Sequence, residues 1–266
     1  MRYAVGVWNF RHAAASLPEL VSVFADMGFD AVSLLPREVL DLGASERGAL
    51  LAVVEARGLG VTVHGNFDLT PGDAGRLMET LGPRLLALTM DAAKAKGEAG
   101  PRFDTARMGA LLSEIERLSR GTDLRFGVED FPLDAATLEA ARAHLGPVAD
   151  CPRFGLLVDL GHMNLRRREA GPYEGLSMAA YLAGPPVPIV EVHVHDNDGT
   201  RDQHAPLGAG NLDFAEAARA LADLGFDGVS TVEIAPDLHG ADRAGSVRLA
   251  GQALETWRGF WQNRAP

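Results

Sequence analysis

The segment 190–204, VEVHVHDNDGTRDQH, sets His193, His195 and His204 among Asp196, Asp198 and Asp202. Imidazoles and carboxylates at this spacing either exchange protons or hold a cation. Residues of a strand alternate between its faces, so His193 and His195 point one way and Val190, Val192 and Val194 the other. One face is oily and the other chemical. That asymmetry fits a strand covered by helices on its outer side, with its functional groups gathered at its C-terminal end.

Two distant stretches of the chain nearly repeat: ADMGFDAVSLL from Ala25 and ADLGFDGVSTV from Ala222. Each reads as the end of a helix, a glycine, a turn and a β-rich run, with Gly28 and Gly225 where a left-handed helix terminator is needed. EARGLGVTVHGN from Glu55 is a looser copy, with Gly58 in the same place. Extending the unit predicts strands at 3–8, 31–36, 61–66, 85–90, 125–130, 154–160, 188–195 and 228–234. Amphipathic helices are expected around 17–27, 45–57, 73–81, 105–120, 135–145, 174–183, 213–224 and 241–260. Eight strands alternating with eight helices favour one (β/α)8 barrel, an α/β TIM barrel spanning 1–266 as a single domain. The alternative is an open doubly wound sheet, but no glycine-rich phosphate fingerprint follows the first strand.

The bulk composition agrees. The 266 residues are 47% hydrophobic and 23% charged, enough for a large core, and the length is ordinary for a closed α/β barrel. With 36 acidic against 25 basic residues the net charge is -11, which disfavours nucleic acid and anionic membranes as partners. The single cysteine, Cys151, excludes an intrachain disulfide framework and a CxxC site. The N-terminal MRYAVGVWNF lacks a hydrophobic run of signal-peptide length, and no apolar stretch approaches the ~20 residues that span a bilayer. A cytoplasmic protein is expected, and a homo-oligomer is compatible with the sequence.

In a barrel the chemistry lies at the C-terminal strand ends. Those ends carry His64 on strand three, Glu129 on five, Asp159 on six, His193 and His195 on seven and Glu233 on eight. Three carboxylates converging on one mouth beside an imidazole repel one another if ionised, and a divalent cation would remove that repulsion and use the lone pairs of all four. Taken singly, each residue has a plainer reading: Asp159 or Glu129 as a helix or turn cap, His195 as a core histidine with a satisfied ring. Glu191 shares the inward parity of His193 but lies deeper, so a structural pair with Arg125 is expected. His12, His144 and His239 read as surface residues.

The motifs GVEDF (127–131), VDLGHMN (158–164), VHVHDNDGTRDQHAPLGAGNLDF (192–214) and TVEI (231–234) resemble those of the xylose isomerase-like TIM-barrel superfamily, in particular its sugar phosphate isomerase/epimerase and AP endonuclease 2 group. The resemblance runs over essentially the whole chain. It implies one divalent ion held by Glu129, Asp159, His193 and Glu233, His193 being preferred to His195 because it stands three residues before Asp196. It also implies that His162 contacts substrate or a further metal, and that Asp202 and His204 hold an additional metal or order their loop. Two departures stand out. Strand four ends LLALTMD where nuclease relatives carry a zinc-binding histidine, and Asp130 stands where many epimerases have asparagine.

Three oxygen ligands and one nitrogen suit Mn²⁺, with Mg²⁺, Co²⁺ and Zn²⁺ also compatible. By resemblance to ketose 3-epimerases, the expected activity is isomerisation or epimerisation of a ketose, sugar phosphate or related polyol through an enediolate, with Glu129 and Glu233 as catalytic proton-transfer groups. The same parts fit a dehydratase of a sugar-like substrate. Outside that class stand an endonuclease IV-like phosphodiesterase and a noncatalytic sugar sensor. His64, His162, Trp8 and Arg201 are the candidate substrate contacts, and Phe67 and Phe131 are expected near the rim with Trp8.

Overall fold

The eight β-rich runs hydrogen-bond to one another in chain order and the last returns to the first, closing a parallel barrel β1-β2-β3-β4-β5-β6-β7-β8. The computed structural model describes residues 1–66, 69–91, 105–129, 142 and 145–263. The strands are β1 Arg2–Gly6, β2 Ala31–Leu34, β3 Gly60–Gly65, β4 Leu85–Asp91, β5 Arg125–Glu129, β6 Phe154–Asp159, β7 Ile189–Val194 and β8 Val229–Val232. Closure is made by β1 against β8, with Val5 opposite Val232.

The described helices lie between the strands: α1 Leu17–Asp26, α2 Arg37–Leu40, α3 Ala44–Ala56, α4 Pro71–Leu81, α5 Thr105–Leu118, α6 Leu160–Arg166, α7 Met178–Leu182, α8 Phe214–Asp223 and α9 Arg243–Gln262. Their starts follow from local chemistry. Ser16 accepts the Glu19 N–H ahead of α1, Thr70 and Asp73 cap α4 reciprocally, and Asp213 accepts the Glu216 N–H ahead of α8. The repeated glycines end helices as expected, with Gly28 at φ 90° and Gly225 at φ 71°, where a Cβ would be strained. The main core fills the layer between barrel and helices, with Leu20, Val21 and Phe24 of α1 among its buried members. No described helix is long and apolar enough to cross a membrane.

Two expectations need correction. The helix expected at 174–183 is only the short α7, and a separate helix, α6, follows β6 directly. The sequence DLGHMNL starts it because the Asp159 side chain caps its first turn by accepting the His162 N–H. The expected Glu191–Arg125 pair does not form. Register carries Glu191 to Leu157 and Leu157 to Glu129, so Glu191 stands level with the far end of β5, while Arg125 at its start pairs with Asp227. Parity alone gave the face but not the height. Except for Arg142 and Leu145, the helix expected at 135–145 lies outside the described residues, as do Phe67, Asp130, Phe131 and His144. His12 and His239 are exposed as expected, bonded to Ser246 and to the Gln203 carbonyl.

Candidate metal centre

Parity and register stack two polar layers inside the barrel. The deeper one comprises Thr62 of β3, Thr89 of β4, Glu191 of β7 and Thr231 of β8, all fully buried. Two residues further along the same strands stand His64, Asp91, His193 and Glu233, joined by Glu129 and Asp159 at the ends of β5 and β6. The spacing of two is the strand period, which keeps each pair on the inner face.

In the upper layer bases and acids alternate. His64 Nε2 lies 3.1 Å from Glu129 Oε2 and 3.4 Å from Asp91 Oδ1. His162 Nδ1 lies 3.2 Å from Glu129 Oε1, and its Nε2 is 3.3 Å from Asp202 Oδ2. Asp202 in turn meets His204 Nε2 at 3.0 Å, and the His204 ring stacks on His195 with centroids 4.1 Å apart. His204 holds a left-handed backbone, φ 43°, and its Nδ1 lies 2.7 Å from the Glu233 carbonyl, tying the loop to the end of β8.

His193 differs from the other rings of this network in having neither nitrogen hydrogen-bonded, whereas His195 lacks a partner at Nδ1 alone. The His193 Nδ1 comes within 2.8 Å of Glu233 Oε2 but not along a hydrogen-bonding direction, and both ring nitrogens are buried without a hydrogen bond. A buried ring so placed is costly unless something else uses its lone pair. Ligand atoms of Glu129, Asp159 and His193 all lie within 4.8 Å of one another, a spacing one ion can bridge. Of the four expected ligands, three therefore gather as a set, and Glu233 joins through His193. Donors of this kind, carboxylate oxygens with an imidazole nitrogen, suit a hard or borderline divalent ion. The residues present fit such an ion.

Charge settles as the geometry dictates. Burial opposes ionisation of the Glu129 carboxyl, but hydrogen bonds from His162 and His64 outweigh it and hold its pKa well below the ordinary value. Burial likewise works against Asp159 and Glu233, and neighbouring histidines overcome it in both. The His193 ring, penalised by burial, is nevertheless pushed up to about 9 by Glu233, Glu129 and Glu191. For His204, Asp202 overcomes burial and raises the ring to about 10. The site is a set of carboxylates that want a cation and imidazoles that stand in for one.

Three further groups of candidate ligands adjoin the first: His64, Asp91 and Glu129; Asp159, His162 and His195; and His195, His204 and Glu233. Asp91 is absent from the candidates the sequence supplies, whereas His195 is the buried histidine that one sequence reading expects, with Nε2 bonded to Asp159. LLALTMD ends without a histidine, yet its last residue supplies a carboxylate in register with Glu129 and 3.4 Å from His64. Counting inward parity from Thr89 would have found it. His195 is fully buried with Nε2 near both oxygens of Asp159, and it fits only because residue 161 is glycine, where a Cβ would lie 2.0 Å from His195 Cε1.

Trp8 covers one side, with its ring centroid 6.4 Å from those of both His64 and His193. Gly6 leaves room for that indole, since a Cβ there would come 2.9 Å from it. Arg201, expected as a substrate contact, is exposed on its loop and takes no part in the contacts of the cluster given above.

Comparison with known proteins bears on this arrangement. The model of the xylose isomerase-like TIM barrel family matches residues 21–258. An uncharacterized protein of Methanocaldococcus jannaschii is 30% identical over 127 residues, which are 47% of this chain and 41% of that relative. The match thus spans well under two thirds of the relative's length. Among solved structures, a D-tagatose 3-epimerase-like protein superposes with a TM-score of 0.71 at 20% identity, covering 99% of this chain and 98% of the other. The IOLI protein with a bound zinc atom gives 0.71 at 12% identity, covering 98% and 99%. These likenesses establish the fold.

Proposed function

The chain belongs to the xylose isomerase-like TIM-barrel family, and on that premise we propose that it is a divalent-metal-dependent isomerase or epimerase of a ketose, sugar phosphate or related polyol, with one ion, Mn²⁺ before Mg²⁺, Co²⁺ or Zn²⁺, held by Glu129, Asp159, His193 and Glu233. The observation that carries this reading is the buried His193, whose ring nitrogens have no hydrogen bond while the Glu129, Asp159 and Glu233 carboxylates crowd it. A bound ion would polarise a substrate carbonyl and stabilise the charge left when the neighbouring carbon loses its proton. Everything else falls to the protein's own groups.

Glu129 and Glu233 approach from β5 and from the end of β8, strands separated by two others in the barrel. One takes the proton and the other returns a proton to the opposite face, which inverts the carbon; service of a single face would give an aldose–ketose isomerase. His162 sits against Glu129 and His64 against its other oxygen, so both are placed to contact substrate hydroxyls and to relay protons from the carboxylate. Trp8 supplies an apolar wall. The likeness to a D-tagatose 3-epimerase-like protein supports a small sugar as substrate.

A second reading, a metal-dependent phosphodiesterase, is favoured by one observation: Asp91 completes a group with His64 and Glu129, and Asp202 with His204 and His162 extends the cluster on the other side. Metal content separates the two. Elemental analysis of protein purified without chelator should give one ion per chain, and the Mn²⁺-loaded protein should convert at least one ketose of a broad panel to its epimer or aldose. Three stoichiometric zinc ions with no ketose turned over would transfer the assignment to the phosphodiesterase.

A further inference from the structure

A closed α/β barrel usually fills its interior with layers of bulky branched side chains. Toward the N-terminal ends of these strands the inward positions carry small residues instead: Ala4 of β1, Ala31 of β2, Gly60 of β3, Gly127 of β5 and Gly155 of β6. Two irregularities of the sheet send side chains into the room this leaves. The register of β3 on β4 slips between Val61 and Thr62, and that of β6 on β7 between Leu156 and Leu157, so Leu86 and Val190 are each the extra residue of a bulge. Both turn inward. A Cβ at Gly60 would lie 2.2 Å from Leu86 Cδ1, and one at Gly155 would lie 2.7 Å from Val190 Cγ1. Leu86 packs against Ala4, Ala31 and Val229, an apolar cluster separate from the main core.

These side chains do not fill the space. Leu86, Val190 and Val229 floor a cavity of about 1160 Å³ at the N-terminal mouth of the barrel, which continues past Gly75 of α4 to Leu118 of α5. Cavities that hold small molecules measure about 300–1,000 Å³, so there is room for one. The buried layer of Thr62, Thr89, Glu191 and Thr231 stands between this cavity and the cluster at the opposite mouth.

The rim is charged, and most of its charge is already committed. Arg125 gives both terminal nitrogens to Asp227, at 2.5 and 3.0 Å, and Asp123 acts on the same guanidinium. Arg76 is held by Asp73 at 2.5 Å. Glu79, the remaining acid of the lining, belongs to α4 rather than to the floor. Arg2 differs. It stands in register with Val229, directly over the apolar floor, and among the described residues its exposed guanidinium has no hydrogen bond or ion pair.

We propose that this cavity is a second binding site, for a small amphipathic organic anion whose charged head lies on Arg2 and whose hydrocarbon body lies on Leu86, Val190 and Val229. Replacing water over that floor by hydrocarbon is favourable, and a free guanidinium fixes an anionic head through charge-assisted hydrogen bonds. The site is independent of the reaction proposed above, because the bound molecule meets none of the groups assigned to it.

The probe for the test is anilinonaphthalene sulfonate, an aromatic body with an anionic head, titrated into the full chain with Mn²⁺ present. Its emission should rise, shift to the blue and saturate at one molecule per chain. Arg2→Ala should weaken binding about 10-fold, the loss expected for a hydrogen bond to a charged group. Val229→Phe, which fills the floor, should abolish binding in a protein that still unfolds cooperatively. Should Val229→Phe fail to fold, as judged by circular dichroism, Arg2→Glu carries the test, and the like charge on the exposed rim should abolish binding in its place. Absence of saturable binding to the wild type, affinity unchanged in Arg2→Ala and Arg2→Glu, or binding that persists in folded Val229→Phe would each overturn the proposal.

Discussion

Nε2 of His195 lies 3.0 Å from Asp159 Oδ1 and 3.1 Å from Oδ2, so one fully buried ring faces both oxygens of the carboxylate. Oδ1 also accepts the His162 N–H and thereby starts α6. A residue read from the sequence as either a helix cap or a ligand is placed to be both. The cap leaves Oδ2 facing His193 at 3.9 Å, and the histidine behind it prevents the carboxylate from turning away.

The contact depends on Gly161. A methyl group there would overlap the His195 ring, and overpacking of this kind costs about 1–3 kcal/mol. In an open helix position Gly→Ala would instead stabilise by about 1 kcal/mol. Gly161→Ala should therefore lower the unfolding free energy in a urea titration and weaken metal binding. A more stable Gly161→Ala protein would contradict the packing described for α6.

Asp159→Asn separates the two roles of that side chain. Asparagine caps a helix about as well as aspartate, so helix content by circular dichroism should be unchanged. The charge offered to a cation is lost, and Mn²⁺ affinity should fall by at least about 10-fold. Undiminished affinity would remove Asp159 from the ligand set.

With a net charge of -11, the chain should bind DNA weakly at physiological salt, because counterion release from phosphates supplies most nonspecific affinity. Gel-shift titration of an abasic-site duplex should show no complex at low micromolar protein. Cleavage of that duplex well above a metal-only control would favour the phosphodiesterase reading.

Much of this was readable in the residues because a parallel barrel sends its chemistry to the strand ends. His64, Glu129, Asp159, His193 and Glu233 each close a β-rich run, and parity assigns them the inner face. What parity cannot supply is height around a tilted, staggered sheet, which is why Glu191 was matched to Arg125 rather than to the threonines that hold it. Asp91 has inward parity two residues after Thr89, but the family resemblance at strand four points to a histidine, which LLALTMD lacks. Gly161 gives no local signal at all: its need arises only when β7 brings His195 against α6. Arg201 stands exposed beside Asp202 on the same loop.

Proton transfer by Glu129 and Glu233 at a carbon beside a carbonyl, as proposed above, would leave an isotopic record in the product. Mn²⁺-loaded protein turning over a ketose in D₂O should place deuterium on that carbon, because each carboxylate exchanges with solvent between turnovers. Glu129→Gln and Glu233→Gln should each abolish epimer formation, with metal content measured in both so that lost ligation is not mistaken for lost proton transfer. Product formed without deuterium at that carbon, or full activity in metal-loaded Glu233→Gln, would rule out proton transfer by this pair.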